Sequence, residues 1–65
     1  MTTRQYTESE KLEAVRREIA YRERVYRRKV EDRSMSRAEA NYQIGVMKAI
    51  EADYLPKARK EELPL

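Results

Sequence analysis

The stretch over residues 11–33, KLEAVRREIAYRERVYRRKVEDR, contains no Gly and no Pro. Nothing in it interrupts a helix, and its apolar residues recur at helical spacing. Counted at about 100° per residue, Leu12, Val15, Ile19, Tyr26 and Val30 share one narrow face. Arg22 stands at the edge of that face, where its methylenes can lie over apolar neighbours while the charge stays outside. A second stripe, Ala14, Tyr21 and Val25, lies about a third of a turn away. The remaining surface holds Arg16, Arg17, Arg24, Arg27 and Arg28 among Glu13, Glu23 and Glu31. Glu13–Arg17 and Glu23–Arg27 have the favoured i, i+4 order.

The flanks set the ends of this helix. Thr7 followed by Glu10 is a capping box, in which hydroxyl and carboxylate satisfy unpaired amides at a helix start. The helix is expected over about 8–33, preceded by an arm at 1–6. Residues 32–35 connect it to a second start signal, Ser36-Arg37-Ala38-Glu39, with Met35 placed as the outer half of a hydrophobic staple. The connector has no Gly or Pro, so the geometry of its turn cannot be read. A second helix is expected over about 36–55, ended by Pro56. Its inward face gathers Ala40, Ile44, Met47, Ile50 and Tyr54. Tyr42, Val46 and Ala49 form its second surface. Gly45 inside this helix suggests close approach of another helix. Residues 56–65 are expected to form a tail. A short connector makes the helices antiparallel neighbours, so the expected fold is all-α, an antiparallel two-helix hairpin over 7–55.

A chain of 65 residues makes one small domain. It has no Cys and no His, which removes disulfides, histidine-based zinc sites and histidine catalysis as sources of stability or chemistry. Oligomerisation is then the expected support. A homodimer would bury the second stripes, forming a four-helix arrangement with Ala14, Tyr21, Val25, Val46 and Ala49 at the interface.

Charged residues make up 42% of the chain and mean hydropathy is −1.04, values that would suit disorder if the apolar residues were not periodic. No apolar run reaches the roughly 18 residues of a membrane span, and the first residues lack the apolar segment of a secretory signal. A cytoplasmic location and no membrane association are expected.

No catalytic constellation is visible. The single Gly excludes a glycine-rich phosphate loop, the serines lie near helix ends, and the carboxylates alternate with Arg and Lys as on a solvated face. A non-enzymatic protein without cofactor or metal is expected. The band over residues 16–29 carries seven basic and two acidic residues. It suits a protein partner, since Arg and Tyr are favoured interface anchors. Nucleic acid is the competing partner, through phosphate contacts, and an anionic small ligand a third. Against nucleic acid, glutamates intrude in the band and no base-reading motif is present. Arg24, Arg27, Arg28 and Tyr42 are the candidate partner-binding residues.

The runs EKLEAVRREIAYRERVY and RAEANYQIGVMKAIEADY, between Glu10 and Tyr54, resemble small helical proteins of temperate phages and prophages. They look most like the anti-quorum-sensing proteins of Pseudomonas phages. That resemblance implies a compact helical dimer that binds host proteins, including a LuxR-type quorum-sensing regulator and a pilus-assembly ATPase. Its function would be host takeover, inhibiting a host regulatory or defence protein inside the bacterial cell. Where that family often has Pro after the tyrosine and Gly in the connector, this chain has Arg27 and Arg33-Ser34. No residue role is carried over.

Overall fold

The computed structural model describes residues 5–62. The chain forms two α-helices, α1 (Glu8–Glu31) and α2 (Arg37–Glu62), packed side by side as a hairpin. The fold is all-α. Most of the arm expected at 1–6, and the last residues of the tail, lie outside the described residues.

The start of α1 follows from its cap. The Glu10 N–H donates to Thr7 Oγ1 at 3.0 Å, and the Thr7 N–H donates to Glu10 Oε1 at 3.0 Å. Both halves of the box close. Glu8 and Glu10 lie in the first turn, and Arg28 and Lys29 in the last, each complementing the helix dipole.

The connector is a Schellman turn. The Ser34 N–H donates to Lys29 O at 2.9 Å and the Arg33 N–H to Val30 O at 3.1 Å. This geometry needs a left-handed residue after the cap, and Arg33 supplies it at φ 62°. Glycine or asparagine usually stands here, which is why the turn was unreadable in the sequence. The Ser34 hydroxyl adds a bond to Lys29 O at 3.2 Å. α2 then starts on Ser36, whose Oγ accepts from the Glu39 N–H at 3.0 Å.

The expected stop at Pro56 is not where α2 ends. The helix runs through Pro56 to Glu62, so most of the expected tail is helical. A proline inside a helix removes one amide donor and crowds the preceding turn. Two tertiary contacts hold the continuation. Ala58 is only 3% exposed, the most buried of the core residues. The Glu61 carboxylate accepts from the Glu8 N–H at 2.8 Å and the Ser9 N–H at 3.0 Å, so the end of α2 caps the start of α1.

The core is thin. Leu12, Ile19, Ala40 and Ala58 are buried, with no buried polar or charged residue among those described. Val15, Tyr26 and Val30 of the expected inward face are half-buried, as are Ile44, Met47, Ile50 and Tyr54. The body measures 50 × 30 × 14 Å, one helix thick. It therefore has two broad faces and two edges, and only the seam between the helices is covered from both sides.

Candidate interaction surfaces

Ion pairs divide the arginine band in two. Arg16 reaches across the seam to Glu51 at 3.0 Å. Arg17 pairs with Glu13 at 3.0 Å and Arg22 with Glu18 at 2.8 Å, each one turn apart. The bond from Glu18 holds the Arg22 guanidinium still more firmly protonated, against partial desolvation. Arg24, Arg27 and Arg28 have no ion-pair partner among the described residues. The unpaired part of the band is thus the part nearer the turn.

These three arginines line one shallow open depression with Ala20, Glu23 and Glu31. Arg24 lies with its guanidinium carbon 5.8 Å from the centre of the Tyr21 ring, a cation–π contact that holds its head near the surface. Nothing fixes Arg27 or Arg28 in the same way. An exposed cluster of forked donors without partners suits carboxylates or phosphates, which it can bind two bonds at a time.

Tyr42 does not join that site. It is 69% exposed. At helical spacing it points away from the seam on α2, at the opposite edge of the hairpin from Arg24 and Arg28. The four partner-binding candidates are one cluster of three and one separate tyrosine. Of the dimer candidates, Tyr21 is 51% and Val46 41% exposed, Ala14 and Ala49 are exposed, and Val25 is half-buried. At Gly45, a methyl group would meet nothing within 4 Å, so no element of this chain accounts for the glycine.

The end away from the turn is arranged differently. Hydrogen bonds from the Glu8 and Ser9 amides hold the Glu61 carboxyl below the usual carboxylate range, helped by nearby Lys11. Lys11 and Lys57 lie 5.8 and 5.3 Å from the centre of the Tyr54 ring. Lys11 also stands 3.7 Å from Glu8 Oε1, while Glu8 Oε2 is buried without a hydrogen-bond partner. Sequence reasoning missed this clasp. One signal was present: Ala40, Ile44, Met47, Glu51, Tyr54 and Ala58 continue a regular 4-3 seam across Pro56.

Among the described residues no group of acidic side chains is placed to hold a metal ion, and no helix is long and apolar enough to cross a membrane. Comparison with protein-family models, with characterised proteins and with solved structures finds no match to this chain.

Proposed function

We propose that this chain is a small non-enzymatic interaction module that binds a protein partner through the arginine edge of α1 and covers a functional site on it. The observation that supports this reading is the division of the band. Arg16, Arg17 and Arg22 are paired within the hairpin, while Arg24, Arg27 and Arg28 have no internal ion pair among the described residues. A partner presenting carboxylates beside apolar groups would satisfy them. The resemblance to small phage proteins supplies a partner class: a host regulatory or defence protein, with a quorum-sensing transcription factor as the first to try.

The reading includes a homodimer of hairpins in a four-helix arrangement. The support for it is the thin core: the plate is one helix thick, and the flanks of its seam, Val15, Tyr26, Val30, Ile44, Met47 and Ile50, are only half-buried, so a second hairpin would supply cover that one chain lacks.

The test is affinity capture from host lysate with the wild-type chain and with Arg24→Glu/Arg28→Glu. Capture of a specific protein that the double variant reduces at least tenfold, at unchanged helicity and dimerisation, is the expected result. A double variant that captures equally well, or that dissolves the dimer, removes the assignment.

A second reading is supported by Arg33 and Arg37, which extend the set without ion-pair partners around the turn. A basic end of this kind can follow a phosphate backbone. Binding to duplex DNA that falls steeply with salt would favour it. No binding at low salt would remove it.

A further inference from the structure

We infer that the second copy docks on one particular broad face of the hairpin, the face carrying Val15, Val25, Val46 and Ile50. This rests on the homodimer proposed above and adds which surface closes it.

Two contacts across the seam show which flanks of the helices share a face. Arg16–Glu51 lies on one broad face, and Lys11 over the Tyr54 ring lies on the other. Helical spacing places the remaining residues. The first face is charged along its length. Arg16, Glu23, Arg27 and Glu31 of α1 meet Arg37, Lys48 and Glu51 of α2, and the apolar groove over Tyr26 and Ile44 is rimmed by these charges. The second face is apolar at its middle. Val15 and Val25 flank it on α1, and Val46 and Ile50 on α2. The charged groups central to it are Arg22 and Glu18, which neutralise each other at 2.8 Å, while Lys11, Lys29, Asp53 and Lys57 lie towards its two ends.

The exposed apolar groups gather at the same level. With Arg16 beside Glu51 and Lys11 beside Tyr54, an antiparallel pair sets Tyr21 at the level of Val46 and Val25 at the level of Tyr42 along the hairpin. Among the described residues, Tyr21, Tyr42 and Val46 are three of the four large hydrophobic residues most open to solvent. Val46 stands on this face, and Tyr21 and Tyr42 stand on the outer edges that border it.

Shape and charge select a second copy as the occupant. A two-fold interface brings a patch against itself, so its centre must be near neutral. The Val15–Ile50 face meets that condition and the arginine edge does not. Helices pack about 10 Å apart, so stacking two plates 14 Å thick gives a body about 24 Å thick against a width of 30 Å. That is a compact four-helix cross-section. Edge-to-edge pairing would leave a layer one helix thick, with both flanks of the seam still wet.

Sedimentation equilibrium of the full chain tests this, with helicity checked by circular dichroism. Val46→Glu is expected to weaken the dimer at least 100-fold, while Ala20→Glu on the charged face and Ala49→Glu at the outer edge change it less than threefold. A wild-type monomer at 100 times the low-micromolar range overturns both the dimer and the face. A dimer that survives Val46→Glu but is dissolved by Ala49→Glu or Ala20→Glu overturns the face alone. If Val46→Glu fails to fold, thiol alkylation replaces it, since the chain has no native cysteine. The V46C thiol is expected to react at least tenfold more slowly in the dimer than in the monomer, and the N41C thiol equally in both. Equal rates for V46C overturn the inference.

Discussion

The two ends of the hairpin handle their polar groups in opposite ways. At the open end the two helices bond each other, although Arg59 and Lys60 there also stand without ion pairs among the described residues. Glu61 of α2 bonds the free amides of α1, Thr7 and Glu10 close a capping box, and two lysines settle on Tyr54. Leu12 and Ala58 lie buried there. At the turn end, Arg24, Arg27, Arg28, Arg33 and Arg37 stand without ion pairs, and Ala40 is buried while Val30 and Ile44 are half-buried. One end is finished as a folded structure, and the other is finished as a surface. A site for another molecule is to be sought where a chain leaves its own donors unused.

Core truncation probes that contrast most strongly. Leu12→Ala is expected to cost about 2–4 kcal/mol, and Val30→Ala at the turn end about 1 kcal/mol, in urea unfolding at fixed protein concentration. Equal losses would mean that the ends are packed alike. Thr7→Ala should cost about 1 kcal/mol by removing the hydroxyl that accepts from Glu10. Arg33→Gly should stabilise by about 0.5–1 kcal/mol, because glycine adopts the left-handed turn position without the steric cost that Arg33 bears. A loss in Arg33→Gly would show that the arginine side chain contributes to the turn itself.

The smallest effect concerns Glu61. Its carboxyl is held below the usual carboxylate range by the amides of Glu8 and Ser9. A depressed folded value means that the stabilisation is complete above the ordinary glutamate range and is lost as pH falls through the lower folded value. Acidification should therefore lower the exchange protection of the Glu8 and Ser9 amides, taken against the intrinsic rate at each pH, before it affects the middle of α1. Glu61→Gln should remove that pH dependence. Exchange at these amides that tracks the rest of α1 at every pH would show that the clasp does not open separately.

Local signals explain what could be read in the sequence. The Thr7 box fixed the start of α1 because both partners lie within one turn, and the 3-and-4 spacing of Leu12, Val15 and Ile19 fixed its inward face. The connector at 32–35 is legible but its geometry is not, because its Schellman bonds are backbone bonds and its left-handed residue is an arginine. Local propensity makes Pro56 a stop, since a proline opposes a helix there. Burial of Ala58 and the bond from Glu61 to residues more than fifty positions away override it. The arginine band was visible, but its division was not, since Arg16 finds Glu51 only across the folded seam. Tyr42 was grouped with the arginines by residue type, while its position on α2 sets it at the other edge.

The proline within α2 also places a boundary in how the chain comes apart. Pro56 has no amide proton, so the carbonyl four residues earlier has no donor from it and the ladder of helical bonds is broken once at this point. Unzipping that starts from the far end of α2 can release residues 57–62 and halt there, with the bonds upstream intact. Within α2 the first tryptic cuts should therefore fall after Lys57, Arg59 and Lys60, well before Lys48 is reached. A trimmed hairpin should survive them, without its clasp and with its arginine edge untouched.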